Sequence, residues 1–246
     1  MHTKAHVLST SKVPPGSLFI VVCLALWGLV GCQTSPPQQA PQQPVTPAAT
    51  GVTPPAGARE YRVVAAASLL QILVYRGGAM ARLGHNHVIA SHQLAGKVFV
   101  TDDPFGTRFD ISIPVNELTV DEPALRAAAG PDFPPGVPES AREGTRGNLL
   151  SEALLDGVHF PEIRLRATDV RAAGETYDVG VEVTFKGATH ALRVPVAVKR
   201  QEDAITASGE FPLRQTELGL KPFTAALGAL VVLDEMRVRF DVTARQ

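Results

Sequence analysis

The stretch Tyr177-Asp178-Val179-Gly180-Val181-Glu182-Val183-Thr184-Phe185-Lys186-Gly187-Ala188-Thr189-His190-Ala191-Leu192-Arg193-Val194-Pro195-Val196-Ala197-Val198-Lys199 decides the fold class. Val179, Val181, Val183 and Phe185 fall on one side of the chain; Asp178, Glu182 and Thr184 fall on the other. After the break at Lys186-Gly187-Ala188-Thr189, Leu192, Val194, Val196 and Val198 oppose Arg193 and Lys199. A period of two is the signature of a strand. One apolar and one polar face belong to an antiparallel strand with a solvated side. The pattern recurs in both directions. Ile163 and Leu165 alternate with Arg164 and Arg166, and Phe109, Ile111 and Ile113 oppose Asp110 and Ser112. Near the end, Val238, Phe240 and Val242 oppose Arg237, Arg239 and Asp241. Turn signals fall between such runs at Gly77-Gly78, Asp102-Asp103-Pro104-Phe105-Gly106 and Ala172-Ala173-Gly174.

Weaker runs near 60–66, 68–76, 87–101 and 205–213 bring the expected total to between eight and ten strands. The region from Glu122 to Asp156 breaks the alternation. Its latter part, Asn148-Leu149-Leu150-Ser151-Glu152-Ala153-Leu154-Leu155-Asp156-Gly157, reads as a short helix with an Asn cap and a Gly stop. The fold class expected is all-β: a closed antiparallel barrel or a sandwich carrying one short helix. An eight-strand barrel is just wide enough to fill with its own side chains or to hold one small ligand. Periodicity does not choose between these.

Ahead of this domain, residues 60–246, lie two segments of other character. Met1–Ser17 carries Lys4 and Lys12 and no acid, and is followed by the apolar run from Leu18 to Gly31. That run is too short to span a bilayer core, which needs roughly 20 apolar residues, and has the layout of a secretory leader. Leu29-Val30-Gly31-Cys32 resembles the lipobox of bacterial lipoproteins. The resemblance implies removal of residues 1–31, lipid attachment at Cys32 and anchoring by two or three acyl chains. Gln33, in place of an Asp, favours the outer membrane, facing the periplasm. Residues 32–59 are rich in Pro and Gln, lack an apolar face and read as a disordered, semi-extended spacer.

Composition excludes several classes. Cys23 and Cys32 are the only cysteines, so the domain has no disulfide, thiolate nucleophile or cysteine metal site. The chain from Cys32 onward carries 21 basic and 24 acidic side chains with no Lys/Arg cluster, which argues against nucleic acid as a partner. No Gly-x-Ser-x-Gly elbow, phosphate-cradling Gly loop or His-Glu-x-x-His is present, so no enzymatic activity is expected.

Three segments in order carry a family resemblance. Gly147–Ile163, with Asn148-Leu149 opening it and Phe160-Pro161 starting the next strand, is similar to a helix-to-strand signature of the YceI-like, polyisoprenoid-binding family. Val183-Thr184-Phe185-Lys186-Gly187-Ala188-Thr189-His190 and Glu217-Leu218-Gly219-Leu220 are similar to two later signatures. This chain has Asn148-Leu149 where the family has His-Leu, and Leu154-Leu155 where it has two aromatics. The resemblance covers 60–244 and implies a lipocalin-like antiparallel β-barrel with a helix beside its mouth. It also implies an isoprenoid or similar apolar lipid held inside, and a carrier or sequestering role at the bacterial cell envelope.

The conspicuous local motif is Ala81-Arg82-Leu83-Gly84-His85-Asn86-His87-Val88-Ile89. On a strand His85 and His87 share a face. They can line the mouth and hydrogen-bond neighbours, meet a lipid headgroup, or begin a metal site. That site would need a third ligand such as His159, His190, Asp102 or Asp103. The consecutive His-Asn-His is not the dispersed constellation of the nucleases that share those letters. Arg82 is a candidate partner for an anionic headgroup. Ile111, Ile113, Val181, Val183, Val194, Val196 and Phe240 are candidates to line a cavity, and are equally a core if the barrel is filled. The competing readings are a lipid-binding module, a histidine-based metal protein or enzyme, and a ligand-free structural or stress-related envelope protein. No metal and no cofactor beyond a bound lipid is expected.

Overall fold

The structure, a computed structural model, describes residues 51–246; the leader 1–31, Cys32 and the spacer up to residue 50 lie outside the described residues. In chain order the elements are β1 (Arg59–Val63), β2 (Leu69–Val74), β3 (Arg76–Gly77), β4 (His87–Ser91), β5 (Ala95–Val100), β6 (Arg108–Pro114) and β7 (Thr119–Val120). Helices α1 (Pro123–Ala129) and α2 (Glu139–Leu150) follow. The chain continues through β8 (Glu162–Ala173), β9 (Thr176–Phe185), β10 (Ala188–Arg200), β11 (Ala204–Arg214), β12 (Thr224–Ala225), β13 (Leu230–Val232) and β14 (Glu235–Arg245).

Several of the short strands are halves of longer ones. Both β1 and β2 lie along β14, with Val63 opposite Ala244 and Leu69 opposite Asp241. The bend between them is a turn of 3₁₀ helix at Ala65–Ala67. There the buried Ser68 hydroxyl takes over the ladder, donating to Val64 O (2.8 Å) and accepting from Thr243 N (3.1 Å). In the same way β4 and β5 run along β2 and β1, and β7 and β6 along β4 and β5. Every neighbouring pair is antiparallel, each long strand bonds to its sequence neighbours, and β1 pairs with β14 to close the ring. The result is an eight-stranded up-and-down barrel without an open edge.

The connections fall at two ends of the barrel. At one end, the hairpin end, 101–107, 174–175 and 201–203 join strands, and β1 begins and β14 ends. At the other, the helical end, lie 75–86, 121–161, the two-residue turn Lys186-Gly187 and 215–234. Lys186 (φ 48°) and Gly187 (φ 73°) both take the left-handed backbone that two-residue hairpins favour. The helical content differs from the expectation. Two α-helices are present among the described residues, and the longer ends near the residues expected to begin one. Asn148-Leu149-Leu150 is the last turn of α2, and 151–160 is a series of turns.

Inside, the alternating apolar rows face one another as their period requires. In β8 the parity changes: the register slips between Ala167 and Asp169. This bulge returns Val170, rather than Asp169, to the interior. Outside, charges pair across strands, as in Arg164–Asp110 (2.9 Å) and Arg239–Glu210 (2.8 Å). One stretch is apolar on both faces. Leu70, Ile72 and Val74 of β2 face in, while Leu73, with Val88 of β4, is buried outside under Phe133 and α1.

Gly96 in β5 shows how closely β6 approaches. Its φ is +146°, and a Cβ there would meet Asp110 O and Ile111 Cα (2.8 Å) across the ladder. Backbone at that distance cannot rotate away. We expect Gly96→Ala to destabilise the barrel by about 1–3 kcal/mol, read as a lowered denaturant midpoint; an unchanged midpoint would contradict the packing described.

Candidate functional site

The barrel is hollow. A cavity of about 530 Å³ runs from Thr107 and Arg200 at the hairpin end to the connections of the helical end. Its wall is largely valine and other aliphatic side chains, and many inward residues, among them Leu70, Ile72, Leu165, Val196 and Val242, remain partly accessible because they face this space. At the hairpin end Tyr61, Val100, Ile205 and Ala244 form a buried cluster of their own, of which the last three also line the cavity. The volume lies in the range of roughly 300–1,000 Å³ typical of small-molecule sites.

Of the residues proposed from sequence, Ile111, Ile113, Val181, Val183, Val194, Val196 and Phe240 all line the cavity, as do His85 and His87. Arg82 does not. It stands exposed on a 3₁₀ turn, Ala81–Leu83, and Arg76 lines the cavity instead, its guanidinium donating to Gly84 O. Thr145, Asn148 and Gln215 are further polar residues of the wall at the helical end that the sequence did not single out as ligand contacts.

His85 and His87 do not share a strand, because β4 begins only at His87; their rings meet edge to face with centroids 6.1 Å apart. Each ring nitrogen of His87 has a neighbour. Nδ1 lies 2.6 Å from Asp121 Oδ2, and Nε2 lies 3.3 Å from Thr145 Oγ1 on α2. Asp121 has a side chain with no exposed surface. It accepts from Val88 N (2.9 Å) and from Arg126 Nη1 (2.5 Å). Arg126, also buried, donates in addition to Asn86 O (2.7 Å) and Pro134 O (2.7 Å), and lies 5.9 Å above the Phe133 ring. A carboxylate that accepts these bonds makes Nδ1 the donor of His87 and turns Nε2 toward the cavity. The single proton of Thr145 Oγ1 goes to Ala141 O (2.9 Å) within its own helix or to His87 Nε2, not to both, so it is Asp121 that orients the imidazole.

The electrostatics follow from this arrangement. Burial alone would raise the Asp121 carboxyl, but hydrogen bonds from His87, the Val88 amide and Arg126 together outweigh it and hold its pKa below the ordinary value. Burial lowers the His85 pKa, and the nearby charges of His87, Arg76 and Arg126 lower it further, against a smaller opposing effect of Asp121. The helical end therefore presents His87 anchored by a buried ion pair beside a His85 biased toward its neutral form.

The third metal ligands considered from sequence are elsewhere. Asp102 and Asp103 lie at the hairpin end, His159 pairs with Asp156 (2.8 Å), and His190 packs on Phe185. Among the described residues no group of three His, Cys, Asp or Glu side chains is placed to hold a metal ion.

Comparison with known proteins gives a family and a fold. The model of the YceI-like domain matches residues 61–244. The crystal structure of Burkholderia cenocepacia BcnA superposes with a TM-score of 0.54 at 14% identity, covering 74% of this chain and 98% of that one. A Campylobacter jejuni YCEI protein superposes with a TM-score of 0.41 at 9% identity, covering 63% and 81%. No curated protein matches the chain.

Two outcomes test the network. Asp121→Asn keeps the shape but leaves Arg126 buried without its counter-charge, so a loss of about 3–5 kcal/mol in urea unfolding at pH 7 is expected; a loss below 1 kcal/mol would contradict it. The pH windows are separate. Asp121, its folded pKa depressed, contributes stability present above about pH 3.9 and lost as pH falls through its folded value. His85, a base with a depressed folded pKa, costs stability as pH falls below about 6.5, where the unfolded chain takes up the proton first. An NMR titration should place the His85 midpoint below 6.5; a midpoint above it would overturn the assignment.

Proposed function

The chain belongs to the YceI-like family, known for binding polyisoprenoids, and on that premise we propose that it carries or sequesters an isoprenoid or similar apolar lipid at a bacterial cell envelope. The observation that carries this reading is the apolar cavity of about 530 Å³ inside the closed barrel. A cavity walled by aliphatic side chains leaves their inner surfaces without partners. An apolar chain entering it is removed from water at about 25 cal/mol per Å².

The headgroup end is the helical one. Arg76, His85, His87, Thr145, Asn148 and Gln215 converge there, against Thr107 and Arg200 at the other end. His87, held by Asp121 through Nδ1, accepts at Nε2 from a hydroxyl of the headgroup, and Arg76 supplies a fixed positive charge. We read the site as one that binds and orients, not one that reacts. The tether follows the same logic: Cys32 carries the acyl chains, and the Pro- and Gln-rich spacer after it gives the domain its reach. An anchored barrel of this reach would collect a lipid from the periplasm-facing side of the outer membrane.

Native mass spectrometry of the mature chain recovered from its own envelope, followed by organic extraction, should show a bound species that extracts and matches an isoprenoid lipid. A bare protein mass, unchanged after incubation with such lipids, would contradict the proposal. Val196→Phe gives a second test. In a filled core the added bulk would cost about 1–3 kcal/mol. In a hollow one it should leave stability within about 1 kcal/mol while abolishing lipid capture. A large loss of stability, or retained capture, would count against an occupied lumen.

A further inference from the structure

The large apolar side chains left exposed are unevenly distributed. Among the described residues, Met80, Leu83, Val158, Phe223, Leu227 and Leu233 are all on connections at the helical end, and Phe105 alone is at the hairpin end. Five of the six come from two connections, 75–86 and 215–234. These are joined as one surface: β3 pairs with β13 through Gly77–Val231 and Arg76–Val232, and Met80 N bonds to Ala229 O (2.8 Å) and Leu233 N to Tyr75 O (2.7 Å).

Three further features point to what covers this surface. The first is charge: the connections 75–86 and 215–234 carry Arg76, Arg82 and Lys221 against two acids, Glu217 and Asp234, which stand next to the strands that the second one joins, and the stretch between them, 218–233, has no acid. The second is the backbone at the tip, where Ala226 (φ 49°), Leu227 (φ 54°) and Gly228 (φ 87°) are successive left-handed residues. Non-glycine residues seldom adopt that conformation, and here it holds the Leu227 side chain fully out in solvent. The third is continuity. The same two connections supply Arg76, Gly84, His85, Phe223 and Leu230 to the cavity wall, so the exposed apolar rim and the lumen are two sides of one structure.

We propose that this rim is a membrane-docking surface that inserts Leu83, Leu227 and their neighbours into the interface of an anionic bilayer, so that lipid passes between bilayer and barrel without crossing water. The proposal rests on the lipid-carrier reading and adds the surface through which loading occurs. An apolar patch whose stretches 75–86 and 218–233 carry cations only fits a negatively charged lipid surface: the side chains bury among headgroups and acyl chains while Arg82 and Lys221 meet phosphates. A protein partner would be met by the same apolar residues, but the excess of cations, Arg76, Arg82 and Lys221 against Glu217 and Asp234, favours the bilayer.

The test uses residues 32–246 with Cys32→Ser, which retains every described residue and removes both the leader and the acyl chains. It is floated with vesicles of phosphatidylcholine alone or mixed with phosphatidylglycerol. Association should appear with the anionic vesicles, weaken as salt rises, and fall roughly a hundredfold in the double variant Leu83→Glu/Leu227→Glu, since burying one leucine is worth on the order of tenfold or more. Neither residue lines the cavity, so the variant should still bind an isoprenoid alcohol delivered from detergent while taking it up slowly from vesicles. No flotation with either vesicle, or flotation indifferent to the double substitution, overturns the docking surface even if detergent-delivered lipid binds. Loss of detergent-delivered binding in the parent chain, with flotation intact, would instead remove the carrier reading and leave the surface standing.

Discussion

Closure of the sheet is the constraint on which the molecule depends. Once β1 pairs with β14, every long strand has its partners on both sides and one of its faces is committed to an enclosed interior. An eight-stranded barrel is narrow enough for long side chains to meet across the axis. Here the central rows of β9, β10 and β14 are rich in valine, at 179, 181, 183, 194, 196 and 238, and valine is too short to reach. Side-chain length on those strands therefore helps to leave the lumen open. The same choice suits the strands, since β-branched residues pack well on a pleated surface.

A barrel lined only by valine would have no means of orienting an occupant. The helical end supplies it through a second interaction, the buried Asp121–Arg126 pair. Asp121 follows directly on β7 in a left-handed conformation (φ 57°), and its backbone N also bonds to Val88 O (2.8 Å). Arg126 reaches back from α1 to the carbonyls of Asn86 and Pro134. One salt bridge thus joins the connection after β2, the start of β4 and the loop after α1, and fixes His87 at their meeting point. Such a pair is costly to break and adds little as net stability; its effect is to place an imidazole.

The barrel was legible in the sequence because alternation is a local property that survives in each strand. Its breaks were legible as well: Gly187 and Gly219 mark turns in which those glycines are left-handed. The helices were misjudged for a physical reason. No residue of α2 is buried, so it has little apolar periodicity to betray it, and Leu149-Leu150 drew attention only where it ends against the cavity. Leu69–Val74 looked irregular because α1 and Phe133 bury its outer face too. The lining residues from Ile111 to Phe240 could be named from parity alone, whereas hollowness could not. The roles of Asp121, Arg126, Thr145 and Arg76 had no local signal, since each depends on a contact made across the fold. Arg82 was the visible arginine of the motif, but the turn at Ala81–Leu83 carries it to the surface.

The central claim is that an apolar chain lies along the lumen with its polar end at His85 and His87. Paramagnetic relaxation in NMR tests it directly, using an isoprenoid labelled with a nitroxide at the headgroup or at the tail. The account predicts that the headgroup label broadens the imidazole signals of His85 and His87, and that the tail label broadens methyl signals of inward residues toward Val100 and Ile205. Broadening confined to outward-facing or rim residues from both labels, with the inward valines untouched, would contradict it.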